Sequence, residues 1–242
     1  LPLEPSRPNQ SLDVPILRSV ARVDVDVDED VTNFTLDEVY IYKPNDALSL
    51  MPAWSSYNEG ELKVAFPSVP DGAQAFADKW QYNIAGDANR IARTIYIPEA
   101  DVVQNGNGTP GDAHHLNRCA IVVGGKYSGG SSATYYRIDF KHGEGDAAKG
   151  KLMDVLRNHR YAVNITRVSG AGESSPDAAY ESRTASIEAE VITWTDNNQN
   201  IVFDGADWAS VERKEVHFGD GEGSHELLQL LSSVKPSEWK LQ

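Results

Sequence analysis

The residues with the strongest metal-binding chemistry are two adjacent histidines and the single cysteine of this 242-residue chain, His114, His115 and Cys119. Imidazole and thiolate groups are ligands that zinc prefers, but a structural zinc site needs four of them. No second cysteine or histidine pair lies at finger spacing. A glycine-rich stretch precedes the histidines, so we interpret them as surface residues and predict no bound metal. A metal-dependent hydrolase that uses His114 and His115 is an alternative that elemental analysis would test.

A second group that could bind a cation is an acidic cluster, formed by Asp24, Asp26, Asp28, Glu29 and Asp30. Carboxylate oxygens suit calcium, but an EF-hand loop counted from Asp24 would need glycine in place of Glu29 and glutamate in place of Thr35. Valines instead alternate with the aspartates, a period of two that is typical of a strand. We therefore interpret the aspartates as the solvated face of a half-buried strand, where charge also discourages edge-to-edge aggregation.

No residue spacing in the chain is typical of nucleophilic or phosphate chemistry. The G-x-S-x-G nucleophile elbow is absent. The run Gly124-Gly125-Lys126 has the glycines and lysine of a phosphate loop, but it lacks the rest of that motif and no helical pattern follows it. We predict a turn there, and we predict no catalytic residue, no cofactor and no enzymatic activity.

The charge of the chain limits its partners. Acidic residues outnumber basic ones by 36 to 22, which gives a formal net charge of -14. This charge repels phosphate backbones and anionic membrane surfaces, so we predict no nucleic-acid partner. No apolar run approaches the roughly 20 residues needed to cross a bilayer, so we also predict no direct membrane insertion by this chain. The single cysteine allows no internal disulfide.

Hydrophobic periodicity predicts a mainly β chain. Alternating or β-branched segments predict strands at 21–28, 34–42, 62–66, 94–97, 120–123, 133–140, 160–168, 184–194 and 201–203. Residues 126–130 are predicted to connect two of these strands as a hairpin. A helix is predicted over 72–82, where Ala73, Phe76 and Trp80 recur at helical spacing. Many strands and few helices favour an antiparallel β-sandwich with one or two short helices.

Three segments of the sequence together resemble a known family. They are LRNHRYAVNITRVSGAG at 156–172, PILRSVARVDV at 15–25 and SIEAEVITW at 186–194. The first is similar to the C-terminal signature of the FimA-like fimbrillins, the subunits of Bacteroidetes type V pili. The other two resemble the strands that open and close a fimbrillin domain. The three segments bracket residues 15–205, the larger part of the chain.

The resemblance implies a transthyretin-like β-sandwich, export as a lipoprotein to the outer membrane or the fimbrium, and assembly with other pilus subunits by β-strand exchange. Host or bacterial surface receptors would be further partners. The signal peptide is expected outside the sequence given. Family members are cleaved after an arginine, and Arg18-Ser19 is the matching position here. Removing residues 1–18 would leave the strand at 21–28 intact.

The resemblance also divides the chain. Residues 1–18 are proline-rich and are expected to be a tail or interdomain linker, 19–205 the fimbrillin-like sandwich, and 206–242 an extension that starts a further small β domain. The segments EVHFGDGEGSH at 215–225 and SEWK at 237–240 resemble the opening of such a domain. We therefore expect a tip, anchor or accessory subunit, given as part of a longer protein, rather than a complete stalk pilin.

A glycan-binding surface lipoprotein with the same sandwich fold is the alternative hypothesis. Trp54 and Trp80, with Tyr57 and Tyr82 nearby, are aromatic side chains that could stack on sugar rings. Aromatic residues are more often buried in a sandwich core than exposed as binding platforms. The predicted sugar-stacking residues of this alternative are Trp54 and Trp80.

Overall fold

The computed structural model describes residues 17–53, 64–86, 89–102, 116–143, 148–182, 186–195, 200–204, 207–211 and 230–232. Within these ranges the chain is mainly β. The strands are β1 (Ala21–Val27), β2 (Phe34–Tyr42), β3 (Lys79–Asn83), β4 (Arg90–Ile97), β5 (Ala120–Tyr127), β6 (Ala133–Asp139), β7 (His159–Val168), β8 (Ile187–Thr195), β9 (Asn200–Asp204), β10 (Asp207–Val211) and β11 (Leu230–Ser232), with one short helix, α1 (Pro176–Glu181), before β8. No helix in these ranges is long and apolar enough to cross a membrane.

The first sheet has the strand order β4-β1-β7-β8. β1 is antiparallel to β4 and parallel to β7, whereas β7 and β8 are antiparallel. Ala21, Val23, Val25 and Val27 of β1 are all buried, which confirms the predicted core face of this strand. Small and β-branched side chains at every second position suit a pleated strand that packs on one face. β1 is thus a central strand held on both edges.

The second sheet has the order β3-β2-β5-β6, and all of its neighbouring strands are antiparallel. β5 and β6 form the hairpin predicted from the sequence. In its turn, Ser128 and Gly129 have φ angles of 51° and 71°, and the Gly130 N–H donates to the Tyr127 carbonyl at 2.9 Å. Positive φ at both central residues is typical of a type I′ turn, whose twist matches that of the flanking strands.

One hydrophobic core lies between the two sheets. Its fully buried aliphatic residues come from both, and they include Val23, Val25, Leu36, Val39, Ile41, Ile95, Ile97, Ile121, Val123 and Ile165. Phe140 and Tyr161 pack edge to face there, with ring centroids 5.2 Å apart. Burial of each such side chain stabilises the fold by about 1.5–3 kcal/mol. The predicted β-sandwich is confirmed.

Residues 170–182, here called the strap, cross the outer face of the second sheet and contain α1. The helix begins at Pro176, and the Ser175 hydroxyl accepts a hydrogen bond from the Ala178 N–H at 3.2 Å. Serine is a favoured N-cap residue and proline suits the first helical position. The sequence motif Ser-Pro-Asp therefore indicates a helix start, which hydrophobic periodicity alone does not predict.

Polar and aromatic contacts attach the strap to β2 and β3, the two strands of the second sheet that lie farthest from β6. Tyr180 stacks on Tyr42 of β2, with ring centroids 4.4 Å apart and an interplanar angle of 9°. Asp177 accepts hydrogen bonds from the Tyr42 hydroxyl and from Nζ of Lys79 in β3, both at 2.7 Å. These contacts tie α1 to β2 and β3, while the helix itself packs against β5 and β6, with Ala179 and Tyr180 in one buried cluster with Ala120 and Val122.

The helix predicted over residues 72–82 is wrong. Part of this range forms β3, in which Trp80 lies opposite Ile41 and Tyr82 opposite Val39 of β2. Trp80 and Tyr82 pack against the core, whereas Gln81 between them is exposed. This period of two belongs to a strand. Pairing with β2 overrides the helical spacing of Ala73, Phe76 and Trp80, since local propensity is weak against tertiary packing.

The last three strands form a separate antiparallel sheet of order β11-β10-β9. The strand predicted at 201–203 is confirmed as β9. β9 pairs with β10 across residues 205–206, the boundary predicted between the sandwich and the extension. The division of the chain into domains stays a prediction. Most of the extension, residues 212–229 and 233–242, lies outside the described residues. Of the strand predicted at 62–66, residues 62–63 also lie outside them, and residues 64–66 form no strand.

Candidate functional site

The open side of the sandwich is the candidate functional site. β6 ends the order of the second sheet and β8 ends that of the first. A groove of about 490 Å³ lies between these two strands, lined by Arg137, Ile138, Asp139, Lys141, His142, Gly143, Lys149, Gly150, Thr166, Ser182 and residues 187–191. An extended segment can add to the edge of a sheet through main-chain hydrogen bonds. The groove has the position that such an addition needs.

Charged side chains of both signs line this groove. In β6, Nε of Arg137 donates to Oδ1 of Asp139 at 2.8 Å, and Nζ of Lys141 lies 3.7 Å from Oδ2 of the same carboxylate. Glu188 and Glu190 of β8 lie on the opposite wall. Ligand pockets for small apolar molecules are lined mainly by hydrophobic side chains. The mixed charges therefore fit an extended polar segment better than an apolar ligand.

A glycine brings the chain after β6 close to β8 at one end of the groove. A Cβ atom added to Gly143 would lie 2.9 Å from the carbonyl oxygen of Val191 in β8. This distance is too short for a larger residue without movement of the β8 backbone. Gly143 thus sets how closely the two sheets approach at this end.

The strap covers the other end of the β6 edge. Glu173 forms an antiparallel bridge with Tyr135, and the two residues exchange N–H···O=C hydrogen bonds of 2.9 and 3.0 Å. The Tyr136 hydroxyl donates to the Gly170 carbonyl at 2.8 Å. A void of only about 10 Å³ remains between the strap and β6. The edge of β6 is therefore covered at Tyr135, whereas Arg137 and Asp139 line the groove.

Asp24 of the acidic cluster is buried, which corrects the prediction that it belongs to a solvated face. Its carboxylate accepts from Nη2 of Arg22 at 2.7 Å, from Nε of Arg160 at 2.6 Å and from the Arg93 N–H at 2.8 Å. Burial alone would raise the pKa of Asp24, but the Arg160 and Arg22 guanidinium groups outweigh it and hold that pKa below its ordinary value. Asp24 therefore belongs to an ion-pair network with Arg22 and Arg160.

A second buried ion pair joins Glu99 to Arg157, a residue of the 156–172 segment. Two guanidinium nitrogens of Arg157 donate to Oε2 of Glu99 at 2.8 and 2.9 Å, and its Nη1 and Nη2 also donate to the Leu50 and Ser49 carbonyls. These bonds fix a loop on which Leu50 and Met51 are 81% and 83% exposed. The sequence contains both partners but gives no sign that they meet.

The predicted processing site lies directly before β1. Arg18 is exposed, and its N–H donates to Oδ1 of Asn158 at 3.3 Å. The Asn158 N–H in turn donates to the Val20 carbonyl at 3.1 Å. The pairing of β1 with β4 begins only at Ala21. Cleavage between Arg18 and Ser19 would therefore leave every ladder pair of β1 in place. Processing itself stays a prediction.

The predicted ligand residues are only partly described. His114 and His115 lie outside the described residues, and Cys119 is buried directly before β5. Burial raises the pKa of the Cys119 thiol to about 12, so its thiolate form, which metals bind, is disfavoured near neutral pH. Within the described residues, no group of three or more histidine, cysteine, aspartate or glutamate side chains is placed to hold a metal.

The structure describes one of the two residues of the sugar-stacking hypothesis. Trp54, with its neighbour Tyr57, lies outside the described residues. Trp80 is half-buried and packs against the core, and its ring centroid is 6.3 Å from that of Phe76. A role of Trp80 in sugar binding stays a prediction.

Replacement of Trp80 by alanine is expected to lower the free energy of unfolding by about 1–3 kcal/mol, less than is typical of a fully buried tryptophan. Urea denaturation would measure the change. Gln81→Ala is the matched control, because this neighbour on β3 is exposed and should leave stability almost unchanged. Loss of glycan binding by Trp80→Ala at unchanged stability would contradict the core role and favour the sugar-stacking hypothesis.

The comparisons with known proteins find similarity in structure alone. No family model matches the sequence, and no curated protein matches it. A candidate cell adhesion protein from Parabacteroides distasonis aligns over 74% of this chain and 59% of its own, with 17% identity and a TM-score of 0.41. The C-terminally truncated tip fimbrial protein Mfa3 from Porphyromonas gingivalis aligns over 74% and 52%, with 17% identity and a TM-score of 0.38.

A second candidate cell adhesion protein from Parabacteroides distasonis aligns over 74% of this chain and 53% of its own, with 16% identity and a TM-score of 0.31. The chain thus spans between half and three fifths of the length of these similar structures. Its own strands and sheet order define its class, a mainly β protein of sandwich architecture with one short helix in the described ranges.

Proposed function

We propose that this chain is a structural and adhesive subunit of a cell-surface pilus of the fimbrillin type, exported to the outer membrane as a lipoprotein. Other pilus subunits are its main partners, and β-strand exchange joins them. This role agrees with the descriptions of the similar structures as cell adhesion and fimbrial tip proteins.

The observation that carries the proposal is the meeting of the three family-like segments in one sheet. The segment at 15–25 contains most of β1, the segment at 156–172 contains β7, and the segment at 186–194 contains nearly all of β8. In the sheet order these strands are direct neighbours, β1-β7-β8. Val25 pairs with Val163, and Val163 pairs with Val191. Segments far apart in the sequence thus build a single continuous surface of the core.

The groove between β6 and β8 supplies a place for an incoming strand. A strand that enters there would form main-chain hydrogen bonds with a sheet edge, and the charged side chains of the groove would select its sequence. Processing at Arg18-Ser19 would release residues 1–18 without loss of β1. Both steps belong to the proposal and rest on the geometry of the groove and of β1.

Limited digestion with a trypsin-like protease tests both steps. We expect cleavage after Arg18 before any cleavage after Arg22, because Arg22 lies within β1 and its guanidinium group is 2.7 Å from Asp24. Cleavage inside a paired strand requires local unfolding, which lowers its rate by roughly tenfold or more. N-terminal sequencing of the product should give Ser19 as the first residue. The trimmed chain should then form a ladder of oligomers that resists mild denaturant.

Arg18→Gln is the matched control for this experiment. It removes the charged side chain that the protease recognises but keeps the N–H that donates to Asn158. This variant should resist cleavage at residue 18 and stay unassembled. A correctly trimmed chain that remains monomeric at all concentrations would contradict the assembly role.

A further inference from the structure

The edge of β6 is already occupied by a piece of this chain that acts like a very short fifth strand. At the bridge between Tyr135 and Glu173, the two residues exchange both backbone hydrogen bonds, at 2.9 and 3.0 Å. An added strand would place one of its residues at this position. Glu173 therefore takes the main-chain bonds that an incoming strand would need at Tyr135.

Gly172 makes this close approach possible. A Cβ atom added there would lie 2.2 Å from the Tyr135 carbonyl oxygen and 2.8 Å from the Tyr136 ring. The first of these atoms belongs to the backbone, so it cannot move aside without moving β6. The Gly172 N–H also donates to the Thr134 hydroxyl. Residue 172 must be glycine for the strap to lie on the β6 edge.

The remainder of the strap packs on the outer face of the second sheet, where the Tyr180 carbonyl accepts a hydrogen bond from Nη1 of Arg137 in β6. Tyr180 stacks on Tyr42, and Asp177 accepts from Tyr42 and Lys79. The Ser182 hydroxyl donates to Oε1 of Glu173 at 2.8 Å, within the strap itself. The strap is thus held on the outer face of the sheet by one set of contacts and at the edge of β6 by another, the bridge of Glu173. A Cβ atom at residue 172 meets Tyr135 and Tyr136 and so acts directly on the second set.

We propose that the strap is an edge cover that keeps β6 from pairing with the β6 strand of a second copy of this chain. Without the cover, Tyr135 presents its N–H and its C=O on the same edge of the sheet. Two antiparallel copies of β6 centred on Tyr135 satisfy both groups, because the N–H of each tyrosine donates to the C=O of the other. The second sheets of the two copies then continue into one another.

The side chains of β6 also suit this pairing. In the two-fold register the Tyr135 side chains face each other across the strands, and cross-strand aromatic pairs stabilise a sheet. Thr134 of one copy lies opposite Tyr136 of the other. If a sheet edge with this self-complementarity is exposed and uncovered, two copies of the chain can pair through it. This inference stands whether or not the chain is a pilus subunit.

Gly172→Ala tests the proposal, with Gly170→Ala as its matched control. A Cβ atom at residue 170 meets only Ser186, at 3.8 Å and beyond, which is ordinary contact. Analytical ultracentrifugation over a range of concentrations would measure association, and circular dichroism would check the fold. We expect Gly172→Ala to raise the association constant of the dimer by roughly tenfold or more. Gly170→Ala should remain as monomeric as the unmodified chain.

A double variant tests the register. Adding Tyr135→Lys to Gly172→Ala places two lysines opposite each other across the two-fold axis, where like charges are destabilising. We expect this double variant to return to the monomer. A dimer that persists unchanged would show that association does not occur through β6, and it would overturn the proposal.

Glu173→Pro provides a second way to remove the cover, because proline has no N–H to donate to the Tyr135 carbonyl. We expect it to dimerise like Gly172→Ala. A folded variant of either kind that stays monomeric at high concentration would overturn the proposal. Loss of the cooperative fold in both variants would overturn it as well, because the strap would then be an integral part of the sandwich rather than a cover.

Discussion

Replacement of Glu99 by glutamine is expected to lower the free energy of unfolding by about 3–5 kcal/mol, the range typical when one partner of a buried ion pair is removed. The Glu99 and Arg157 side chains are only 3% and 1% exposed. Without the carboxylate charge, the Arg157 guanidinium would stay buried with neutral acceptors alone. Thermal and urea denaturation would measure this loss.

The glutamate also organises the neighbouring backbone. Its Oε1 accepts from the Arg157 N–H at 3.0 Å, and its Oε2 accepts from the Ser68 N–H at 3.1 Å. Glu99→Gln keeps the size of the side chain but turns one acceptor into a donor that faces an N–H group. We therefore expect faster proteolysis of the loop that carries Leu50 and Met51, because Arg157 binds the carbonyls of Ser49 and Leu50.

The exposed pair between Arg167 and Glu188 is the control for this prediction. Its atoms lie 3.6 Å apart, and the two side chains are 67% and 65% exposed. Surface ion pairs contribute little to stability because water and salt screen them. Glu188→Gln should leave the unfolding transition almost unchanged. Equal effects of Glu99→Gln and Glu188→Gln would contradict the structural role given to the buried pair.

Replacement of Asp24 by asparagine is the second change with a large expected effect. Above about pH 5 we expect a loss of about 3–5 kcal/mol in the free energy of unfolding, since Arg160 would lose the charge of its carboxylate partner. The Asp24 and Arg160 side chains are 7% and 11% exposed, and the atoms that join them are 2.6 Å apart. Urea denaturation at several pH values would measure the loss.

The pH dependence of this effect follows from the lowered pKa of Asp24 in the folded state. The unfolded chain, with an aspartate pKa of about 3.9, binds the proton more tightly than the folded chain does. The stabilisation is therefore fully present above the unfolded pKa and is lost as the pH falls through the folded pKa. The stability difference between the unmodified chain and Asp24→Asn should narrow in acid. A difference that stays constant down to pH 2 would contradict the ion-pair explanation.

The contribution of Asp26, on the same strand, to the free energy of unfolding should change with pH in the opposite direction. Burial raises its pKa above the ordinary value, and the charges of Asp28 and Asp24 add to the increase, although Arg90 opposes it. The folded chain therefore binds a proton at Asp26 more tightly than the unfolded chain, so this residue favours folding as the pH falls. Asp26→Asn should not destabilise the protein near neutral pH. It is the natural control for Asp24→Asn.

The strands that could be predicted from the sequence are those in which local pattern and tertiary position agree. β1 alternates valine with charge and buries every valine, and β2 was predicted with both of its ends correct. The turn at Ser128-Gly129 connects the hairpin that its residues indicate. In these segments, one side of the strand faces the core and the turn residues suit their backbone angles.

The structural features that could not be predicted depend on residues that are distant in the sequence. Asp24 looks like its neighbours Asp26 and Asp28, and the distant residue Arg160 helps to explain its burial. β3 looks helical until β2 pairs with it. The bridge between Glu173 and Tyr135 has no local signal, because a single glycine at 172 is common in loops. Long-range pairing decides each of these features, and a sequence pattern does not report it.

The parallel pairing of β1 with β7 affects the order in which the protein can fold. Residues 24 and 160 are 136 positions apart, yet they form one ion pair between neighbouring strands. β1 is synthesised long before β7, so one edge of this valine-rich strand stays unpaired until β7 has been made. Non-local pairing of this kind slows folding and prolongs the exposure of apolar strands to aggregation. Any truncation before residue 160 should therefore leave β1 without its parallel neighbour and prevent closure of the first sheet.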